Sequence, residues 1–101
     1  PYPSAAREEL AIRDAAMVYL LYATGLRVSE LVGLTPHAVD LATEYVRVRG
    51  KGEKERIVPF AGAAGERLGR YLESSRPRLA ARRRGPPSEA LFLNHRGAGL
   101  T

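Results

Sequence analysis

The 101-residue chain has no cysteine and only two lysines, Lys51 and Lys54. The missing cysteine excludes a disulfide, a thiolate zinc site and a cysteine nucleophile. No apolar run approaches the roughly 20 residues that cross a bilayer. The longest, Ala15 to Ala23, fits a buried helix, and no membrane partner is expected. Pro1-Tyr2-Pro3-Ser4 carries none of the basic, apolar and cleavage regions of a signal peptide. A reducing cytoplasm is compatible with both absences. No metal-ligand spacing, phosphate-binding P-loop or dinucleotide fingerprint is present, so no metal and no cofactor is expected. The sequence shows neither an internal repeat nor a long linker.

What is present is charge of one sign. Sixteen Lys and Arg face eleven Asp and Glu, a net charge of +5, and arginine supplies all but two of the cations. With 45% apolar and 27% charged residues the composition is that of a small globular domain with one modest core. The surplus favours a polyanionic partner, nucleic acid first. An arginine-, alanine- and glycine-rich chain also fits GC-rich coding, so the positions of the cations carry more weight than their number.

Along the chain, Ser4 is placed to cap a helix with Glu8 and Glu9 near its positive end. The helical pattern runs to Ala23, with a break near Leu10 to Ile12, and Gly25 is its left-handed terminator. Tyr19 and Tyr22 share a helix spacing that reads as core. Arg27 to Gly33 forms a second short helix, stopped by Leu34-Thr35-Pro36 because proline disfavours helical geometry at the residue before it. Val39 to Leu41 is a first short strand. Tyr45-Val46-Arg47-Val48-Arg49 alternates with period two, placing the valines inward and the arginines outward. Gly50 to Glu53 turns the chain into a return strand, Glu55 to Phe60. A helix over Ala63 to Ser74 carries Leu68, Tyr71 and Leu72 on one face. Arg76 to Pro87 reads as a basic loop, and Ala90 to Leu93 as a short apolar strand. The expected class is α+β: helices, then a small three-stranded antiparallel sheet with a β-hairpin, then a further helix.

Two segments point to chemistry. In Tyr22-Ala23-Thr24-Gly25-Leu26-Arg27-Val28-Ser29-Glu30-Leu31, one arginine stands at a helix start, where anions are favoured and guanidinium adds a planar bidentate donor. Glu30, three residues on, is spaced to hold that guanidinium in one rotamer. Taken alone, the pair is equally a surface salt bridge. In Arg47-Val48-Arg49-Gly50-Lys51-Gly52-Glu53-Lys54-Glu55-Arg56, a lysine sits between two glycines at a hairpin tip, free to approach a groove wall. A lysine there can release a proton when a phosphate site desolvates it. Fixed cations on shaped backbone suit a phosphodiester, because displacement at phosphorus builds negative charge on its oxygens.

These two segments resemble, nearly letter for letter, the first half of the catalytic domain of the tyrosine recombinases (phage-integrase family), closest to the bacterial XerC/XerD type that resolves chromosome dimers. The likeness covers about residues 10 to 101 and is strongest from Arg13 to Pro59. Ala38 departs from it, standing where that type usually has aspartate. The resemblance implies that Arg27 is the first catalytic arginine, on the non-bridging oxygens of the scissile phosphate. It implies that Lys51 is the hairpin lysine that enters the minor groove and acts as general acid for the departing 5′-hydroxyl. Glu30 would support the arginine, and Arg49, Gly50, Gly52, Lys54 and Arg56 would meet the DNA backbone. The partners implied are double-stranded DNA and further recombinase protomers in a tetrameric synapse, in the bacterial cytoplasm at the nucleoid.

The family's His-x-x-Arg box, its further His or Trp and its late tyrosine nucleophile have no counterpart here. His37 and His95 stand in other contexts, and none of the five tyrosines suits the nucleophile. Residues 1–101 are therefore expected to be the N-terminal part of a catalytic domain, without its core-binding domain or C-terminal half, and inactive alone in cutting and rejoining DNA through a 3′-phosphotyrosyl intermediate. Two readings stay open beside it. One is a non-catalytic, integrase-derived DNA-binding module. The other is a structural fragment whose helix from Asp14 to Ala23, apolar nearly all round, drives self-association. The cluster Arg76, Arg78, Arg82, Arg83 and Arg84 is either a solvated loop or a set of phosphate contacts.

Overall fold

A computed structural model describes residues 6–50, 52 and 54–100. Helix α1 runs unbroken from Arg7 to Thr24, so the break expected near Leu10 does not occur. The residues there are ordinary helix formers, and Leu10, Arg13, Ala16 and Leu20 make a continuous buried stripe at helical spacing. The proposed cap, Ser4, lies outside the described residues. Gly25 ends the helix as expected, at φ +70°, with its N–H donating to the Leu21 carbonyl at 2.9 Å. The tyrosines contradict the core assignment. Tyr22 is 92% exposed, since two residues beyond buried Leu20 a helix has turned about 200°. Tyr19 lies at the surface with the Arg67 guanidinium 4.9 Å over its ring.

Helix α2, Val28–Val32, follows, then a 3₁₀ turn, Pro36–Ala38, leads into strand β1, Val39–Asp40. Strands β2, Tyr45–Arg49, and β3, Glu55–Pro59, complete an antiparallel sheet in the order β1-β2-β3. Val46 and Val48 are buried while Arg47 and Arg49 face out, as the alternation required. The register sets Val46 opposite Val58, Arg47 opposite Ile57 and Val48 opposite Arg56. Residues directly opposed in a sheet share a face. Arg56 therefore lies on the valine face and Ile57, 58% exposed, on the outer one.

Helix α3, Ala63–Arg70, does not stop near Ser74. It passes through a π-helical turn, Tyr71–Ser75, into α4, Arg76–Ala80. Proline removes one N–H from a helix and crowds the preceding turn. Pro77, in the first turn of α4, is accommodated by the wider turn before it. Arg76 to Ala80 is thus helix, not the expected loop. Pressed against α1 and this long helix is the segment Leu91-Phe92-Leu93, with all three residues buried.

That segment was expected to be a strand, but it forms only a single bridge, Leu93 to Gly99. Its backbone partners are side chains from the helices instead. The Tyr71 hydroxyl donates to Leu91 O at 2.8 Å and accepts from Leu93 N–H at 3.0 Å. Arg13, buried, donates to Leu93 O at 3.0 Å. Arg76 donates to the carbonyls of Ser88, Ala90 and Leu91. The Leu91 N–H reaches Leu34 O at 2.8 Å. Buried backbone polar groups need partners, and here three helical side chains take the place of a neighbouring strand. The whole is α+β: helices, a three-stranded antiparallel sheet with its hairpin, and a further helix.

Candidate nucleic-acid interface

Arg27 is the residue that starts α2. Its backbone is extended, at φ −74° and ψ 152°, and its carbonyl accepts the Leu31 N–H at 3.0 Å. Gly25 and Leu26 deliver it there, because buried Leu26 anchors the turn between the two helices. The Arg27 side chain is exposed, and no carboxylate among the described residues pairs with it. The helix it starts has five residues, so the guanidinium, not a helix dipole, supplies the positive charge at this point.

Glu30 does not hold the Arg27 guanidinium as its spacing suggested. Its Oε1 accepts the Arg27 backbone N–H at 3.0 Å, satisfying one of the free donors of the helix start. Both carboxylate oxygens also accept from Arg56, Oε2 from Nη1 at 2.8 Å and Oε1 from Nη2 at 3.2 Å. The Arg56 guanidinium first, then the Arg27 N–H, pull the Glu30 carboxyl down to about 2.

The hairpin offers the remaining cations. Gly50 N–H donates to Lys54 O at 2.8 Å, closing the tip. Gly52 sits at φ +78°, a conformation that favours glycine, whereas Gly50 has ordinary room for a Cβ. Lys51 and Glu53 lie outside the described residues. Lys54 is exposed with no carboxylate partner among them. Arg49, also exposed, has only a loose 3.9 Å approach to Glu55. An open groove of about 540 Å³ between α2 and the sheet is lined in part by Glu30, Arg47, Arg49 and Glu55. Its two carboxylates make it a poor cradle for phosphate, so the exposed cations beside it are the better anion site.

The basic run after Ser75 divides. Arg76 points inward to backbone carbonyls, and Arg78 lies 3.5 Å from Glu9. Arg82, Arg83 and Arg84 instead share an open pocket of about 370 Å³ with Arg96. No local pattern signals the structural duties of Arg13 and Arg76. For Arg56 a signal existed in the strand register, but the turn length that sets it could not be read.

Residues 3–101 match the profile of the Phage integrase family. Among curated proteins, the tyrosine recombinase XerC of Roseiflexus castenholzii (strain DSM 13941 / HLO8) is 53% identical over 90 residues, 89% of this chain and 28% of that protein. The tyrosine recombinase XerD of Listeria monocytogenes serotype 4b (strain F2365) is 48% identical over 92 residues, 91% of this chain and 30% of that one. The chain thus spans less than a third of the length of these relatives. Among solved structures, that of XerA recombinase superposes with a TM-score of 0.76 at 31% identity, covering 100% of this chain and 38% of that one. The integrase of transposon Tn1549, solved in complex with transposon right end DNA, gives a TM-score of 0.59 at 25% identity, covering 100% of this chain and 40% of that one.

Proposed function

This chain belongs to the phage integrase family, and from that premise we propose that it is the N-terminal part of the catalytic domain of a DNA recombinase and supplies two of its catalytic cations. Arg27 binds the non-bridging oxygens of the scissile phosphate. Lys51 gives its proton to the 5′-oxygen as the bond to phosphorus breaks, so that it leaves as a hydroxyl. The nucleophile is a tyrosine outside these residues: its phenolate attacks phosphorus, the 3′-phosphotyrosyl bond forms and the bond to the 5′-oxygen breaks. Preorganised cations stabilise the charge that gathers on the phosphoryl oxygens in between. Arg49, Gly50, Gly52 and Lys54 meet the DNA backbone.

One observation carries this reading. Arg27 and Lys54 are exposed and make no ion pair with a carboxylate among the described residues, while Glu30 and Arg56 join the elements that bear them. The Tn1549 integrase, named as a DNA complex, supports duplex DNA as the partner. The tyrosines described here support a nucleophile from elsewhere. Tyr71 is fully buried, with its hydroxyl engaged by the Leu91 and Leu93 backbone.

The test is duplex affinity as a function of salt, by fluorescence anisotropy. If Arg27, Arg49, Lys51 and Lys54 each neutralise one phosphate, affinity falls on the order of a hundredfold between 50 and 200 mM salt. Arg27→Ala and Lys54→Ala are each expected to make the logarithmic slope shallower by about 0.9. The chain alone is expected to leave the duplex uncut. Salt-independent binding, unchanged slopes in both variants, or a covalent protein–DNA adduct would contradict the proposal.

A further inference from the structure

We infer that Arg56 is a positioning residue rather than a DNA contact: through Glu30 it braces the β2–β3 hairpin against the start of α2, and the brace keeps its own charge away from phosphate. The inference rests on the reading above for its DNA-binding arm only.

Three observations carry it. First, the register puts Arg56 opposite Val48, on the valine face of the hairpin, whereas Arg47 and Arg49 occupy the other face. A side chain alternates faces with each residue along a strand. To join a phosphate, the Arg56 side chain would have to give up the Glu30 carboxylate that holds it. Second, the Arg56 guanidinium is engaged at two points by one carboxylate, at 2.8 and 3.2 Å, the planar fork geometry that fixes orientation as well as distance. Its Nη1 lies 3.8 Å from where a Cβ on Gly50 would stand, tucked beneath the hairpin tip. Third, the same carboxylate takes the backbone N–H of Arg27 at 3.0 Å. One side chain therefore ties the residue that starts α2 to Arg56 on β3, which lies 26 positions beyond Glu30.

The consequence is geometric. Arg27 is at the start of a five-residue helix, and the hairpin tip extends beyond the last ladder pair, Arg49 and Glu55. Neither element has a long packed length to set its angle. A two-point ionic link between them holds the end of the β2–β3 ladder against the residue that starts α2.

Salt dependence separates a brace from a phosphate contact, because each neutralised phosphate adds about 0.9 to the slope. Glu30→Gln keeps an oxygen for the Arg27 N–H while removing the charge that holds Arg56. Duplex titrations should show Arg56→Gln with the wild-type slope and Glu30→Gln steeper by about 0.9, as the released guanidinium reaches a phosphate. In the double variant Glu30→Gln with Arg56→Gln, the steepening should vanish. A slope shallower by about 0.9 in Arg56→Gln alone, or steepening that survives in the double variant, overturns the inference.

A second readout needs no DNA. The Arg27 amide resonance reports the titration of the carboxylate that accepts its proton. Its acid midpoint should lie near the depressed Glu30 value of about 2 and rise into the ordinary carboxylate range in Arg56→Gln. A midpoint unmoved by Arg56→Gln overturns the brace. A wild-type chain that binds no duplex overturns the functional proposal, and the brace still stands or falls on this titration.

Discussion

Replacing Tyr71 by alanine is expected to unfold most of the chain at ordinary temperature. The ring is fully buried and stacks on Phe92, with centroids 5.3 Å apart. Truncating a buried aromatic to alanine costs about 3–5 kcal/mol. The hydroxyl is also the acceptor for Leu93 N–H, and a buried donor left without a partner costs about 1–3 kcal/mol more. Leu91 O keeps a bond from Arg76, so that carbonyl is not orphaned. Small domains are stable by only about 5–15 kcal/mol, and the two losses together remove much of that.

Tyr71→Phe isolates the hydroxyl. It should cost about 1–3 kcal/mol, lowering the melting temperature by roughly 5–15 °C as followed by far-UV circular dichroism. A Tyr71→Phe chain that melts with the wild type would show that the Leu91–Leu93 segment does not depend on this side chain. Alkali gives an independent check. Burial raises the folded-state phenol to about 12, above its ordinary value of 10.0. Its stabilising contribution is therefore complete below pH 10 and is lost as pH rises through about 12.

Gly97→Ala is expected to be nearly as damaging, though the change is one methyl group. Gly97 is buried at φ +79°, a region that costs an L-residue about 1–2 kcal/mol. An added Cβ would stand 2.6 Å from Leu79 O and 3.0 Å from both the amide nitrogen and the Cβ of Arg83. Two of those three neighbours are backbone, which has no rotamer by which to move away. Overpacking of this kind costs about 1–3 kcal/mol. The seam it would open also carries the Arg82 Nε bond to His95 O at 2.8 Å. Gly50→Ala is the matched control. Its Cβ would meet Lys54 O at an ordinary 3.5 Å, so thermal melting should shift little. Equal melting temperatures for wild type and Gly97→Ala would contradict the tight approach.

Local pattern read well where local pattern decides structure. Alternation in Tyr45–Arg49 placed both valines in the core, and Gly25 marked the end of α1, because each signal acts within a few residues. Elsewhere a distant partner decided. Nothing near Tyr71 in the chain shows that its hydroxyl serves two leucines about 20 residues later, so an apolar tetrapeptide beginning at Ala90 looked like a strand. Arg76 sat in a run of arginines that read as a solvated loop, yet its fork meets three backbone carbonyls, those of Ser88, Ala90 and Leu91. Arg56 is a matter of parity. In Glu55-Arg56-Ile57-Val58 either alternate set can face inward, and one residue more or less in the turn exchanges them. Glu30 meets Arg27 through the backbone N–H and not the guanidinium, since the stronger claim on its carboxylate comes from β3.

The measurement that bears most directly on function is to add a short DNA duplex to the isotopically labelled chain and follow every backbone amide by NMR. The earliest and largest shifts are expected at Arg27 to Glu30 and at Arg49 to Lys54, with the amides of α3 and α4 nearly still. Shifts confined to Arg82, Arg83, Arg84 and Arg96, with the start of α2 and the hairpin silent, would contradict the assignment of the DNA-binding face.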